Sequence, residues 1–317
     1  MRHSPERAII VALPARRPLI VIMAEPGDAH ARAIARHLRK GGASTRQMRL
    51  RDCSFDSAMP HGLSLPGLRG ALPDAVLVRS IAAGSFEQVT FRLGILHALR
   101  DSGVLVWNDA RTIERCVDKS TTAHLLHAAG LSVPSSFSVE GLAAARRIVE
   151  REATCGPLVL KPLFGAQGRG LVLVRNVADL PPADHVGGVY HLQRFIGNCR
   201  ARQFRDYRVF VLQGRVIAAM ERRSRNWITN VRQGGEPAAL LPSPEVVDLA
   251  LHAASSVGAA FCGVDILPGP EGPVVLEVNS MPAWSGLQKV SKPRISAAIA
   301  RSLLDELRRG RIRSAVG

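Results

Sequence analysis

Two hydrophobic runs near the C-terminus, G-V-D-I-L at 263–267 and V-V-L-E-V-N at 274–279, are separated by P-G-P-E-G-P. Such a density of turn formers between β-prone runs predicts a hairpin of paired antiparallel strands. A turn centred near Glu271 sets Asp265 opposite Glu277. The two-residue period of a strand then puts Glu277 and Asn279 on one face. Two carboxylates and one amide oxygen among Val, Ile and Leu form a hard-oxygen set suited to Mg²⁺. The same pattern also describes a hairpin with a polar outer face.

The formal charge of +16 attracts nucleic acid, anionic membrane surfaces or acidic small substrates, and says nothing about fold. Only five of the 42 basic residues are lysines (Lys40, Lys119, Lys161, Lys289, Lys292), so each lysine is more informative than usual. The five cysteines are scattered without a C-x-x-C pair, which argues against a disulfide framework or zinc ribbon. Apolar stretches such as P-L-I-V-I-M-A fall far short of the roughly 20 residues of a membrane span. Arg16-Arg17 precede that stretch, but Glu25 ends it and no small-residue cleavage site follows. The expectation is a soluble, cytoplasmic protein with no membrane partner.

A length of 317 residues suits about two domains, or one with subdomains. Residues 1–17 read as an irregular basic tail. From Leu19, strand, loop, helix and a Gly41-Gly42 stop form a βα unit; strands D-A-V-L-V-R and V-L-V-W-N follow, with helices expected at 87–102 and 109–117. This alternation predicts a small parallel sheet ending near Trp107. A capped helix opens at Asp118, another helix covers 139–152, and then P-L-V-L-K, a glycine-rich loop and L-V-L-V make a strand-loop-strand unit. Further strands, a polar loop at 222–236, a helix at 244–258, the hairpin and a helix at 293–309 complete the chain.

In that strand-loop-strand unit Lys161 ends a buried strand and the loop carries Gly165, Gly168 and Gly170. Glycines let a backbone approach phosphate closely, and a neighbouring lysine supplies a cation. The loop lacks G-K-[ST], so it is not a Walker A motif, and no helix follows it, so it is not a dinucleotide fingerprint. An ordinary glycine-rich turn remains the alternative.

Taken in order, D-K at 118–119, V-L-K with its glycine loop, H-L-Q-R-F-I at 191–196, R-D-Y-R-V-F-V at 205–211, A-M-E-R-R at 219–223, T-N-V-R-Q-G-G at 229–235 and G-V-D-I-L…L-E-V-N-S-M-P closely resemble the RimK-like branch of ATP-grasp ligases. The similarity runs from about Leu19 to about Leu307. It implies an α/β (α+β) ATP-grasp fold with an N-terminal Rossmann-like pre-ATP-grasp domain at 18–107, a central lid domain at 108–187 and a C-terminal domain at 188–310 carrying the metal site. It further implies ATP- and Mg²⁺-dependent joining of a carboxylate to an amine through an acyl phosphate. Two Mg²⁺ ions are expected, with Mn²⁺ as a substitute.

By the same resemblance Lys119 and Lys161 hold ATP phosphates, and Gln193, Arg194 and Phe195 form the adenine-side strand through backbone groups. Asp206 contacts the nucleotide, while Arg208 and Arg222 face the transferring phosphoryl group or a substrate carboxylate. Asn230 sits in the phosphate- and substrate-side loop, and Asp265, Glu277 and Asn279 match the Mg²⁺ ligands. The chemistry agrees: acyl phosphate formation moves negative charge onto phosphoryl oxygens, which metals, Lys and Arg stabilise. The family departs at Arg194, where a Glu is usual, at Ile228, where a basic residue is common, and in the long basic stretch 197–205.

Arg79 ends a strand of the first sheet, at the carboxyl edge where open α/β sheets bind ligands, and is a candidate contact for a substrate carboxylate. Trp227 and Trp284 adjoin motif loops and are candidates for the substrate side, whereas Trp107 suits core packing. His124 and His127 lack the company a zinc site requires. The expected activity is addition of glutamate, or a similar amino acid, to an acidic coenzyme or oligoglutamate tail. Glutamylation of a ribosomal protein C-terminus and a glutathione-synthetase-like ligase are the enzyme alternatives. A basic nucleic-acid-binding protein with a vestigial ATP site is the non-enzyme one. Family members commonly form dimers or tetramers, so a homo-oligomer is compatible with the resemblance.

Overall fold

Alternate residues of the first strand face two different cores, and this sets the N-terminal architecture. The computed structural model describes residues 16–165 and 168–316, with side chains to residue 310, so most of the expected basic tail lies outside the described residues. In β1 (Leu19–Met23), Ile20 and Ile22 bury on one side, Val21 and Met23 on the other. A strand apolar on both faces belongs inside a helix-covered parallel sheet. The chain continues through α1 (Ala29–Lys40), β2 (Ser44–Met48), the short pair β3 (Ser54–Phe55) and β4 (Leu63–Ser64), β5 (Ala75–Val78), α2 (Phe86–Asp101) and β6 (Leu105–Trp107). The four long-range strands pair in parallel in the order β2-β1-β5-β6. α1 packs Ala31, Ile34 and Leu38 beside Ile20 and Ile22, and α2 packs Ile95, Leu96 and Leu99 beside Val21 and Met23. β2 has no apolar run in S-T-R-Q-M and was not expected from sequence; as an edge strand it buries only Met48.

Next come α3 (Ala110–Val117), α4 (Lys119–Ala128), β7 (Ser136–Glu140), α5 (Leu142–Glu152), β8 (Leu158–Lys161), β9 (Val172–Val174) and β10 (Val189–Arg194). An antiparallel sheet of order β7-β10-β8-β9 buries Leu158, Leu160 and Leu192 against Ala145 and Val149 of α5. The helix expected from residue 139 starts only after Gly141, whose φ of 82° suits glycine; S-F-S-V-E before it pairs with β10 as an edge strand instead.

The last sheet is built from β11 (Phe204–Leu212), β12 (Arg215–Ser224), β13 (Glu236–Ala239), then, after α6 (Pro244–Val257), β14 (Phe261–Gly269) and β15 (Gly272–Asn279). Its order is β13-β12-β11-β14-β15, all antiparallel. Val209, Val211 and Val264 face α6, while Phe210, Leu212 and Met220 face the other way. That second face shares one core with α1, with α7 (Ser285–Val290) through Leu287, and with α8 (Ile295–Val316) through Ile295, Ile299 and Leu303. The first and last sheets are therefore held together by apolar burial. Asn108 adds a polar stitch: its amide donates to the Phe261 and Ser280 carbonyls at 2.7 and 2.6 Å and accepts from the Ala260 and Phe261 N–H at 2.8 and 3.2 Å.

Candidate active site

A cavity of about 300 Å³ lies between the central and last sheets. Lys119, Lys161, Gly165 and Gly168 line one wall, and Asp206, Arg222, Asn230, Asp265 and Glu277 the other; Gln193, Arg194 and Phe195 lie along the β10 end. A recess of about 30 Å³ beside it brings Asn279 to Glu277, Lys119 and Lys161. Most of the residues expected from sequence thus converge here. Gly170, Arg208 and Arg79 do not line the cavity.

Lys161 arrives at the end of β8 with its side chain enclosed. Burial lowers its pKa, partly offset by Glu277, lowered further by Lys119 and raised by Asp265. Lys119 opens α4, whose N-terminal turn is capped by the Asp118 carboxylate. Its Nζ donates to the Gly165 carbonyl at 2.9 Å, so it clasps the glycine loop; burial lowers its pKa as well, against Glu277 and Asp118. His191, next to this pair on β10, is pushed down to about 4 by burial and then by Lys161 and Lys119, and is neutral near pH 7.

Gly168, at φ +71°, meets the opposite wall: a Cβ there would stand 2.7 Å from Asn230 Oδ1 and 2.8 Å from Ile228 Cγ2. Only glycine permits both this backbone and this approach. The departure at Ile228 becomes an apolar contact between the glycine loop and the 228–230 loop.

The far wall carries a chain of buried charges. Asp206 and Arg222 are register partners across β11 and β12, and Arg208 and Asp265 across β11 and β14. Asp206 and Arg208 are two apart on one strand, so both pairs share a face. Arg222 donates from Nε to Asp206 Oδ1 at 2.7 Å and from Nη2 to Asp206 Oδ2; that Nη2 also lies 3.0 Å from Asp265 Oδ2. Arg208 grips Asp265 through Nε at 2.6 Å and Nη2 at 2.5 Å, and Thr229 Oγ1 donates to Asp206 at 2.8 Å. Burial raises the Asp265 carboxyl, but the two guanidinium groups outweigh it and leave the group well below the usual carboxylate range. Burial lowers the Arg222 pKa, yet Asp265 and Asp206 more than compensate and raise it. Both arginines were expected to face a phosphoryl group or substrate carboxylate. Their forks are turned instead to Asp206 and Asp265, because buried carboxylates require hydrogen-bonded counter-charges.

In the hairpin Asp265 is the register partner of Glu277, with a bulge after Asp265, and Asn279 Nδ2 donates to Glu277 Oε1 at 3.1 Å. Glu277 and Asn279 fit a divalent cation, since both line the recess beside the two lysines and, among the described residues, no guanidinium holds them. Asp265 fits less directly, because both of its oxygens accept from arginine. Among the described residues no cluster of three or more His, Cys, Asp or Glu stands ready for a metal. Phosphate oxygens and water would complete any coordination shell here, as Mg²⁺ prefers.

At the β10 end two of the backbone N–H groups expected near adenine are already engaged. β10 is a central strand with neighbours on both sides, so its ladder groups are already paired. The Arg194 N–H donates to the Ser135 carbonyl at 2.8 Å and the Phe195 N–H to the Pro157 carbonyl at 3.0 Å. The Arg194 side chain turns away to the Glu152 and Gly156 carbonyls at 2.8 and 3.1 Å and to the Glu152 carboxylate. This end also carries an apolar pair on the cavity wall: Phe195 and Trp227 meet edge-on with ring centroids 6.0 Å apart. Trp227, a candidate for the substrate side because it adjoins a motif loop, meets Phe195 on this wall of the cavity.

Arg79 is corrected as a cleft residue. It is 7% exposed, donates to the Pro282 carbonyl at 2.9 Å, lies 3.6 Å from Asp28 and stacks 4.7 Å from the Trp284 ring centroid. The shared core between the first and last sheets closes over it, so it braces the loop after Asn279. Trp284 is likewise buried, against Phe210 and His30, rather than lining the substrate side.

Residues 116–303 match the model of the RimK-like ATP-grasp domain. The tetrahydromethanopterin:alpha-L-glutamate ligase of Methanococcus maripaludis is 35% identical over 235 residues, covering 72% of this chain and 77% of that protein. A probable alpha-L-glutamate ligase of Maridesulfovibrio salexigens is 31% identical over 224 residues, covering 69% and 72%. Among solved structures, the ATP-grasp ligase PsnB complexed with a minimal precursor superposes with a TM-score of 0.69 over 91% of this chain and 99% of that one, at 23% identity. The RimK domain protein of Sphaerobacter thermophilus gives 0.66 over 89% and 98%, at 20% identity. PsnB has also been solved with Mg and ADP. The fold is the ATP-grasp fold, and the chain belongs to the RimK-like family of ATP-grasp ligases, enzymes that use ATP and Mg²⁺ to join a carboxylate to an amine.

Proposed function

We propose that this enzyme adds L-glutamate to an acidic acceptor, a coenzyme or an oligoglutamate tail, holding ATP between a central unit at 108–187 and a C-terminal unit at 188–310. The observation that carries the reading is the convergence of Lys119, Lys161 and Glu277 on one cavity whose far wall holds arginine-clamped carboxylates. The names of the glutamate-ligase relatives support the choice of amino acid.

In the reaction an acceptor carboxylate oxygen bonds to the γ-phosphorus of ATP as the bond to ADP breaks. The glutamate nitrogen then bonds to the acyl carbon, loses a proton, and phosphate leaves. Lys119 and Lys161 would set two ammonium groups against the phosphates, beside Gly165 and Gly168 of the glycine loop. The Phe195–Trp227 pair would offer the base an apolar surface. Arg208 holds Asp265 and Arg222 holds Asp206 in place, and Asn230 would face the substrate side. Glu277 and Asn279 would hold Mg²⁺, with Asp265 contributing to a second ion when an arginine fork yields. Mg²⁺, or Mn²⁺ in its place, supplies neutralisation of phosphate charge. Among the described residues no helix is long and apolar enough to cross a membrane, and the reading implies a cytoplasmic enzyme.

Mass spectrometry after incubation with ATP, Mg²⁺, glutamate and a pool of small acceptors tests this. Repeated glutamyl mass additions to a small acidic acceptor are expected. Release of ADP no faster with glutamate than with neutral amino acids, across those acceptors, refutes the choice of glutamate.

A further inference from the structure

Four arginines line a groove of about 270 Å³ between α1 and β2, on the first sheet: Arg32, Arg36 and Arg39 from the helix and Arg46 from the strand. All four are exposed, and among the described residues none forms an ion pair with a carboxylate. Arg39 Nη1 donates to Thr45 Oγ1 at 2.9 Å. Arg46 lies over Gly67, where a Cβ would come within 2.3 Å of its Nη1, so that glycine leaves the guanidinium its place. Arg32 and Arg36 are four apart on α1, a spacing at which like charges repel and destabilise a helix. Partial desolvation first, then the charges of Lys40, Arg294 and Arg36, lower the His37 pKa on the same helix. A row of unpaired guanidinium groups is a poor stabiliser and a good receptor for multivalent anions.

The shape selects among anions. Among the described residues no aromatic side chain lines the groove, so nucleobases find no aromatic platform there. Successive turns of α1 repeat at about 5.4 Å, close to the roughly 6.6 Å between alternate side chains of an extended peptide. Carboxylates on every second residue of an acidic chain can therefore meet arginines on consecutive turns. The helix that carries three of these arginines also touches the segment after Asn279 through His30. His30, two residues before Arg32, receives the Ser285 hydroxyl at 3.2 Å and the Trp284 N–H at 3.4 Å through Nε2. Gly286, next in line, abuts Val231 beside Asn230, a cavity residue.

We propose that the groove of Arg32, Arg36, Arg39 and Arg46 binds an acidic, peptide-like chain and holds the carboxylate-rich part of the acceptor outside the ATP cavity. The assignment of that chain as acceptor rests on the glutamate-ligase reading; the binding of an oligo-anionic peptide does not.

The test is fluorescence anisotropy of the full-length protein with labelled oligo-L-glutamate, alongside single-stranded RNA of matched charge. Wild-type protein is expected to bind oligoglutamate more tightly than RNA, and Arg36→Gln/Arg46→Gln to weaken oligoglutamate binding by about tenfold or more. Arg36→Glu/Arg46→Glu should weaken it further, with Mg-ADP binding unchanged in both as the control for an intact fold. Unchanged oligoglutamate binding in the variants, or tighter binding of RNA than of oligoglutamate, overturns the proposal. Oligoglutamate binding that depends on these arginines, in an enzyme whose ADP release ignores glutamate, upholds the groove and refutes the glutamate-ligase reading alone.

Discussion

Asp206 and Arg222 face each other across β11 and β12, both buried, and the arginine reaches past its partner to Asp265 at 3.0 Å. One guanidinium thus neutralises two carboxylates that would otherwise repel each other inside the protein. Replacing Arg222 by Met leaves Asp206 without its fork and Asp265 with Arg208 alone. A cost of about 3–5 kcal/mol is expected for stranding buried charge in this way. Arg222→Lys should recover only part of it, because an ammonium lacks the planar fork that spans both acids. Urea unfolding of the three proteins measures this, and a midpoint unchanged in Arg222→Met rules out the charge-bridging role.

Glu277 is placed differently from Asp265: it faces the lysines rather than arginine forks and accepts from Asn279 at 3.1 Å. Glu277→Gln keeps shape and removes charge. Mg²⁺-dependent ADP formation should fall by on the order of a hundredfold or more, while the thermal midpoint stays near that of the wild type. Full retained activity would remove Glu277 from the metal set.

Gly168 has no room for a Cβ, which would stand 2.7 Å from Asn230 and 2.8 Å from Ile228. Gly168→Ala must either strain a φ of +71° or push the two loops apart. The expected result is a KM for ATP raised by about tenfold or more, since reacting groups shift by a fraction of an ångström or beyond. Global stability should change little, because the loop is outside the main cores. Steady-state kinetics against a melting curve separates the two effects.

What the sequence revealed and what it hid divide by the distance over which residues meet. Asp265 opposite Glu277 was legible because P-G-P-E-G-P fixes the register locally. Lys161 and the glycine loop were legible because the lysine ends β8 and the loop comes after it, and Lys119 because it opens a helix behind the Asp118 cap. The partners of Arg208 and Arg79 were not: Asp265 lies 57 residues from Arg208, and Pro282 lies 203 from Arg79. Strand order across a sheet decides such pairs, and no local pattern encodes it. Edge strands were missed for a related reason. S-T-R-Q-M in β2 buries one side chain, so its pairing to β1 leaves no hydrophobic signature. The saturated N–H groups of Arg194 and Phe195 follow from β10 lying inside its sheet, a topological fact.

Lys161 supplies a prediction on pH. Burial holds its pKa below the ordinary 10.5, with Glu277 and Asp265 resisting and Lys119 assisting. The charged form is the one that binds phosphate, so it is present below the lowered pKa and is lost as pH rises through it. For the free enzyme, kcat/KM for ATP should therefore decline on the alkaline side at lower pH than an exposed lysine would dictate. Bound phosphate favours the ammonium, so kcat should hold to higher pH than kcat/KM. Lys161→Arg, if active, should shift the alkaline limb upward, since a guanidinium stays protonated. Isotherms of ADP binding against pH give the same information without turnover. Binding that stays constant through pH 10.5 would show that the Lys161 charge does not hold the nucleotide.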